Sequence, residues 1–317
     1  MKLKKALLTL AVVLLTVNIS AQNNNLITTA VCFSPDGKVV LGGSVESAFA
    51  RWQTNNGSFI GTIIVGRQGP VTSISYSPDG KFFASGGMDG TINIWNANNG
   101  EMIRSISAHS ESVCLAYSPD GTKIASVGDK SIKIWNSTNG QLIRSFQNYQ
   151  HTAASVAFSP DGTKILTGGD LTAHIWDVET GNKIQSFVGH SNIVMSAVFT
   201  PDGRKVITGS SDETIKIWDA KTGKEIVTTG KHGDKITKVI CHPNGKEVLS
   251  CSAFNGKIKK WDIETGKEIP INLDESVYFF TVAYSPDGSR FAGGSDTNRV
   301  FIIDSKTGKT IWQDRMF

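Results

Sequence analysis

The sequence predicts an all-β protein made of seven small antiparallel sheets with four strands each. A turn of the type Ser-Pro-Asp-Gly recurs seven times at steps of 41 to 43 residues, beginning at Ser34, Ser77, Ser118, Ser159, Thr200, His242 and Ser285. A tryptophan, or in the last copy an isoleucine, follows each turn after 17 to 19 residues. Repeats of about 42 residues are typical of radially stacked sheets. Seven copies fill the chain after residue 21, so we expect one domain over residues 22–317.

The first 21 residues have the pattern of a secretory signal peptide. Three lysines precede an apolar run from Ala6 to Val17, and the small Ala21 stands at the expected cleavage point. The run has 12 residues, whereas a membrane-spanning helix needs about 20, so an uncleaved anchor is the less favoured alternative. We therefore expect a periplasmic or secreted protein with no membrane span in the mature chain.

The charge balance excludes some function classes. The formal net charge is +4, but three of the positive charges lie in the predicted signal peptide, and the remainder is close to neutral. A near-neutral body gives no electrostatic reason to expect binding to nucleic acid or to an anionic membrane.

The four cysteines show no metal-ligand spacing. Cys32, Cys114, Cys241 and Cys251 are far apart in sequence except for the last two, and these are offset along their predicted hairpin by about 16 Å, beyond the reach of a disulfide. Although export would place them in an oxidising compartment, we expect four buried thiols.

The fourth repeat shows why each copy forms four strands. An alternating run ends at Phe158, and the turn that follows contains a proline that fixes φ and a glycine for the left-handed position. Further turns, around Asp170 and at Thr180-Gly181, separate the remaining strands. The predicted second, third and fourth strands are Lys164–Gly168, Thr172–Asp177 and Lys183–Val188. Such a sheet is apolar on both faces, so seven of them bury one another by radial stacking.

The recurring residues resemble those of the WD-repeat β-propeller family. Trp176-Asp177, Trp218-Asp219 and Trp261-Asp262 close third strands, and a histidine precedes four of the first strands, at His109, His151, His190 and His232. The resemblance covers essentially all of the chain after residue 21. It implies a seven-bladed β-propeller of four-stranded antiparallel blades.

The resemblance also implies a buried hydrogen-bond relay of histidine, hydroxyl, acid and tryptophan within a repeat. The corresponding sets are His109, Ser126, Asp129 and Trp135; His151, Thr167, Asp170 and Trp176; His190, Thr208, Asp212 and Trp218; and, with an amide in place of the acid, His232, Ser250, Asn255 and Trp261. These residue types also form hydrolase triads. Because the sets repeat and end on an indole donor, we interpret them as structural, and we predict no catalytic residue, metal site or cofactor.

Two function hypotheses remain open. In the first, the chain is a non-catalytic, monomeric platform that binds a protein or peptide through the turns before first strands and between second and third strands, as the family resemblance implies. The candidate residues are Arg67, Met88, Tyr149, Leu171, Glu213, Phe254, Tyr278 and Arg299. Large aromatic side chains, methionine and arginine dominate the energetics of interfaces. In the alternative, the chain is an exported enzyme or a ligand or metal binder that uses a central channel lined by the first-strand starts, which are mostly apolar: Thr28, Val71, Val113, Ala153, Val194, Ile236 and Phe279.

The junction between the first and last repeats is also predicted. Residues 309–313 can supply the fourth strand of the last repeat, so no strand exchange between the termini is needed. Gly42 and Gly293 replace the relay hydroxyl there, and Ile303 replaces the tryptophan. We therefore expect this junction to be held by side-chain packing alone.

Overall fold

The computed structural model of the protein describes residues 27–65, 69–146, 153–273 and 277–316. The predicted signal peptide, residues 1–21, lies outside them. The secondary structure of the described residues consists of 28 strands in seven four-stranded antiparallel sheets, with no helix. The protein is therefore an all-β seven-bladed propeller, as the sequence predicts.

Each blade is built from four consecutive strands. Blades 1 and 2 contain β1 Thr28–Phe33, β2 Val39–Ser44, β3 Ala48–Gln53, β4 Phe59–Ile64, β5 Val71–Tyr76, β6 Phe82–Gly87, β7 Thr91–Asn96 and β8 Met102–Ser107. Blades 3 and 4 contain β9 Cys114–Tyr117, β10 Lys123–Gly128, β11 Ser131–Asn136, β12 Leu142–Phe146, β13 Ala153–Phe158, β14 Lys164–Gly169, β15 Thr172–Asp177 and β16 Lys183–Val188.

The remaining blades follow the same order. Blades 5 and 6 contain β17 Val194–Phe199, β18 Lys205–Ser210, β19 Ile215–Asp219, β20 Glu225–Thr228, β21 Ile236–Cys241, β22 Glu247–Ser252, β23 Ile258–Asp262 and β24 Glu268–Ile269. Blade 7 contains β25 Phe279–Tyr284, β26 Arg290–Ser295, β27 Arg299–Asp304 and β28 Thr310–Arg315.

The chain divides into two compact units. Unit 1 comprises Met1–Cys114 and Asn272–Phe317, and it holds blades 7, 1 and 2, in which β25 packs on β1 and β1 packs on β5. One apolar cluster in unit 1 joins blades 7 and 1 around Trp52, Val300 and Met316, and another joins blades 1 and 2 around Phe49 and Phe83. Within unit 1, blade 1 therefore buries apolar surface against both blade 7 and blade 2.

Unit 2 comprises Leu115–Ile271 and contains blades 3 to 6. Within it, β13 packs on β17 and β17 packs on β21. The clusters between blades contain Phe187 with Trp218, and Ile217 with Trp261. Trp218 and Trp261 of the third strands thus lie in the apolar contact with the preceding blade.

The aspartate of the recurring turn accepts hydrogen bonds from other residues of the same turn. In blade 4, the Ser159 hydroxyl donates to Asp161 at 2.5 Å, and Asp161 also accepts the backbone N–H of Thr163 at 3.0 Å. The Ser159 hydroxyl oxygen accepts the N–H of Lys164 at 2.9 Å, and Gly162 adopts a φ of 70°. The hydrogen bond from Ser159 is the main reason that the pKa of Asp161 lies well below its ordinary value. The same contacts recur at Asp120, Asp202 and Asp287. These acids act as turn formers.

The junction between blades 1 and 7 differs from the prediction in one respect. The two sheets exchange no strand, as expected, but packing is not their only contact. Trp52 donates its indole N–H to Asp314 Oδ2 at 2.8 Å, while Trp312 and Arg290 both donate to the Thr54 carbonyl, at 3.0 and 2.8 Å. The expectation of packing alone is therefore wrong, because Asp314 replaces the hydroxyl acceptor that Gly42 cannot provide.

We predict that Asp314→Ala lowers the free energy of unfolding by about 1–3 kcal/mol, because the indole N–H of Trp52 would remain buried without an acceptor. Urea unfolding at equilibrium measures this loss. The matched control is Arg315→Ala, an exposed neighbour in β28, for which we expect a change within about 0.5 kcal/mol. An unchanged midpoint for Asp314→Ala would show that the bond does not stabilise the junction.

Candidate functional site

A buried hydrogen bond from tryptophan to a hydroxyl recurs in five successive blades. The indole N–H of the third strand donates to a serine or threonine of the second strand over 2.8–3.0 Å, in the pairs Trp95–Ser85, Trp135–Ser126, Trp176–Thr167, Trp218–Thr208 and Trp261–Ser250. All five hydroxyl residues are completely buried. Sequence analysis missed the pair of blade 2, although Ser85 occupies the same position in its repeat as Ser126.

The full relay is present in blade 5. His190 Nε2 lies 2.7 Å from the Thr208 hydroxyl, and His190 Nδ1 lies 2.8 Å from Asp212 Oδ2. Burial lowers the pKa of His190, although Asp212 opposes the shift, so we assign a neutral imidazole at neutral pH. Burial acts to raise the pKa of Asp212, but hydrogen bonds from Thr214 and His190 keep it below its ordinary value. These protonation states place a proton on Nδ1, which donates to Asp212, while Nε2 accepts from Thr208.

This arrangement has the polarity of a hydrolase triad but lacks an available nucleophile. The Thr208 hydroxyl donates to His190 and accepts the indole N–H of Trp218. Thr208 is fully buried, and His190 is 5% exposed. A nucleophile must reach a substrate carbonyl and have an oxyanion site beside it. We therefore interpret the blade 5 relay as a structural element.

The structure describes some of the residues of the relays predicted for blades 3 and 4. In blade 4, Trp176 donates to Thr167, and His151 lies outside the described residues. In unit 2, Trp135 donates to Ser126, and Asp129 accepts the hydroxyl of Ser131 at 2.7 Å. In unit 1, His109 is 8% exposed, and its backbone N–H donates to Gly90.

The predicted fourth relay does not form in blade 6. His232 is 2% exposed, and neither imidazole nitrogen has a hydrogen-bond partner. Asn255 is not part of a relay, because its side chain bonds to Ser252, three residues away, and its backbone N–H donates to Asp234 at 2.8 Å. Burial lowers the pKa of His232 to about 4, so its imidazole is neutral at neutral pH. What remains of the relay is the hydrogen bond from Trp261 to Ser250 at 2.8 Å and the packing of His232, 6.2 Å from the Trp261 ring.

The predicted partner-face residues differ in their exposure. Leu171, Phe254 and Tyr278 are exposed by 45%, 51% and 46% of their surface. Met88 and Glu213 are half-buried. Arg299 is exposed but lies in β27, where it donates to Gln313 of β28 at 2.8 Å, so it is not a turn residue. Arg67 and Tyr149 lie outside the described residues.

Three of these residues occupy equivalent turns in unit 2. Leu171 lies between β14 and β15, Glu213 between β18 and β19, and Phe254 between β22 and β23. Because blades 4, 5 and 6 pack in succession through their first strands, these turns lie along the same end of the unit. Tyr278 belongs to unit 1, immediately before β25. The exposed apolar side chains at this end of unit 2 are the candidate site.

The other candidate chemistries concern metal ions, thiols and a central channel. The described residues contain no cluster of three or more histidine, cysteine or acidic side chains able to hold a metal ion. The four cysteines are thiols, as expected, but only Cys251 is buried, whereas Cys32, Cys114 and Cys241 are half-buried. Burial raises the pKa of Cys241 to about 12 and that of Cys251 to about 11. The seven first-strand starts that were expected to line a channel are at most 3% exposed, so they are interior packing residues. No helix in the described ranges is long and apolar enough to cross a membrane.

The family described as "WD domain, G-beta repeat" matches five segments that together cover more than half of the chain. They are residues 57–96, 100–136, 140–177, 181–219 and 223–262. The chain belongs to the WD40 repeat family. The WD40 match omits the second strands of blades 1 and 7, where Gly42 and Gly293 replace the hydroxyl. A comparison with curated proteins finds no match.

The two WD40 histidines of blades 5 and 6 provide a matched pair of substitutions. We predict that His190→Leu lowers the free energy of unfolding by about 1–3 kcal/mol more than His232→Leu does. Removal of the His190 imidazole takes one hydrogen-bond partner from each of Thr208 and Asp212, whereas the His232 imidazole has no such partner to lose. Urea unfolding at neutral pH measures both. Equal losses for the two variants would contradict a stabilising role for the relay.

Proposed function

We propose that this WD40 propeller is an exported, non-catalytic scaffold that binds a protein or peptide partner through the exposed turns of unit 2. The observation that carries the proposal is the exposure of Leu171 and Phe254 in equivalent turns of blades 4 and 6. Other positions in these turns are small or polar, so the two side chains project from a polar surface. Central apolar anchors surrounded by polar groups are typical of protein interfaces.

The backbone at Phe254 is held in place by the connection between β20 and β21. Its backbone N–H donates to Asp234 Oδ2 at 2.5 Å, and the N–H of Ala253 donates to the Lys235 carbonyl at 2.9 Å. The aromatic ring is therefore presented on a fixed backbone while half of its surface is exposed. A side chain ordered before binding loses less conformational entropy when a partner covers it.

The arrangement of polar groups supports a non-catalytic role. In the described part of unit 2, the hydroxyls that bond to Trp135, Trp176, Trp218 and Trp261 are buried, and each accepts an indole hydrogen bond. Hydroxyls in this state stabilise the blades and do not face a ligand. The proposed export depends on the N-terminal pattern of residues 1–21. We propose that the mature scaffold is a monomer in the periplasm or outside the cell.

We predict that a photo-crosslinking amino acid at position 254 or 171 captures the same partner in the native host. The matched control is position 184, where Ile184 is 50% exposed on the outer strand β16, and we expect no adduct there. Mass spectrometry of the adducts identifies the partner.

The variant Phe254→Ala with Leu171→Ala should abolish recovery of that partner, since truncation of a hot-spot anchor costs about 2 kcal/mol or more. Ile184→Ala should retain it. Capture at position 184 alone, or unchanged recovery by the double variant, would place the interface elsewhere.

A further inference from the structure

A cluster of three exposed lysines lies in the two chain segments that meet at Phe254. The cluster, which we call the blade 6 basic surface, consists of Lys231 and Lys235 in the connection between β20 and β21, and Lys257 in the turn between β22 and β23. The connection and the turn are tied together, because Asp234 accepts the backbone N–H groups of both Phe254 and Asn255. All three lysines are exposed.

The acid within this surface does not pair with the lysine side chains. Asp234 Oδ2 accepts the two turn N–H groups, and Oδ1 accepts the backbone N–H of Lys235 at 2.7 Å. Among the described residues, no carboxylate forms an ion pair with Lys231, Lys235 or Lys257. Other lysines of blades 5 and 6 are paired, for example Lys216 with Glu225 at 2.8 Å and Lys259 with Glu268 at 3.0 Å. The basic surface therefore retains ammonium groups that a ligand can reach.

The aromatic ring and a positive charge are presented together. The ammonium group of Lys235 lies 5.6 Å from the centroid of the Phe254 ring. A cation at this distance is attracted to the negative face of the ring. A ligand that contacts this surface therefore meets an apolar face and an ammonium group side by side. The complementary ligand has a large apolar side chain next to a carboxylate.

Glu213 limits the surface on the side of blade 5. The backbone carbonyl of Glu213 accepts the N–H of His232 at 2.8 Å, so its turn adjoins the start of the basic connection. Glu213 forms no ion pair within the described residues. Its carboxylate repels an acidic ligand and directs it towards Lys235 and Lys257. A nucleic acid or an anionic membrane would need a broader positive surface than one bounded by Glu213 and containing Asp234.

We infer that the partner contacts blade 6 through a short acidic peptide segment that carries a large apolar side chain. This inference rests on the proposed function and specifies the chemistry of the partner. The apolar side chain packs on the exposed face of Phe254, and neighbouring carboxylates pair with Lys235 and Lys257. Complementary charge at an interface contributes chiefly to specificity and to the rate of association.

The test uses a fluorescent octapeptide with one central tryptophan flanked by glutamate and aspartate, and measures its binding by anisotropy. We expect its affinity for the mature chain to fall at least about tenfold between low and moderate salt, because exposed charges are screened. Lys235→Gln with Lys257→Gln, and separately Phe254→Ala, should each weaken binding at least about tenfold, whereas Glu213→Gln should strengthen it.

The controls separate this inference from its alternatives. Lys224→Gln with Lys246→Gln removes two exposed lysines elsewhere in unit 2 and should leave the affinity within about twofold. A peptide with glutamine and asparagine in place of the acids should bind weakly. The inference is overturned if this neutral peptide binds equally well, if the acidic peptide does not bind, or if an oligonucleotide or anionic vesicles bind more tightly through the same lysines. Continued crosslinking of a partner at position 254 would then leave the proposed function standing with a different partner chemistry.

Discussion

The buried bond from an indole N–H to a neighbouring hydroxyl is the interaction on which blades 2 to 6 depend. The tryptophan must lie in the apolar contact between blades, as Trp218 and Trp261 do, yet its N–H needs an acceptor there. A hydroxyl on the adjacent strand provides that acceptor without adding charge to the core. Where Gly42 has no hydroxyl, the carboxylate of Asp314 from the neighbouring blade serves instead. The need to satisfy one donor therefore determines both the inside of a blade and the junction between blades 7 and 1.

The need to satisfy buried polar groups also explains why the relay residues are structural, whereas the residues able to bind a partner lie in the turns. The relay of His190, Asp212 and Thr208 resembles a catalytic triad in its residues and its polarity, but its hydroxyl is buried and fully bonded. The groups able to meet a partner lie in the turns at one end of unit 2, where the backbone is fixed by bonds such as that from Phe254 to Asp234. Substitutions in the turns can therefore alter the binding surface without altering the core of the blades.

Much of the fold can be predicted from the sequence because its signals are local and repeated. The turn at Ser159, the glycine at position 162 and the tryptophan at 176 lie within one repeat, and each determines a nearby turn or strand. The contact of Trp52 with Asp314 could not be predicted in this way, since the two residues are 262 positions apart. The sequence predicts a relay position for Asn255, but its side chain bonds to the nearby Ser252 instead. The sequence predicts that Leu171 and Phe254 lie in exposed turns, and they do. It does not predict that Arg299 lies in β27, because the residues of the preceding turn do not determine where that strand begins.

The most direct test of this account is a comparison of stability and partner affinity in Thr208→Val. This substitution removes the hydroxyl that joins His190 to Trp218 and leaves the turn surface unchanged. The account predicts that the free energy of unfolding falls by about 1–3 kcal/mol, because two buried groups lose their partner, while the affinity for the partner captured at position 254 stays the same. A loss of affinity with unchanged stability would contradict it, because the relay would then serve binding or chemistry and not the fold.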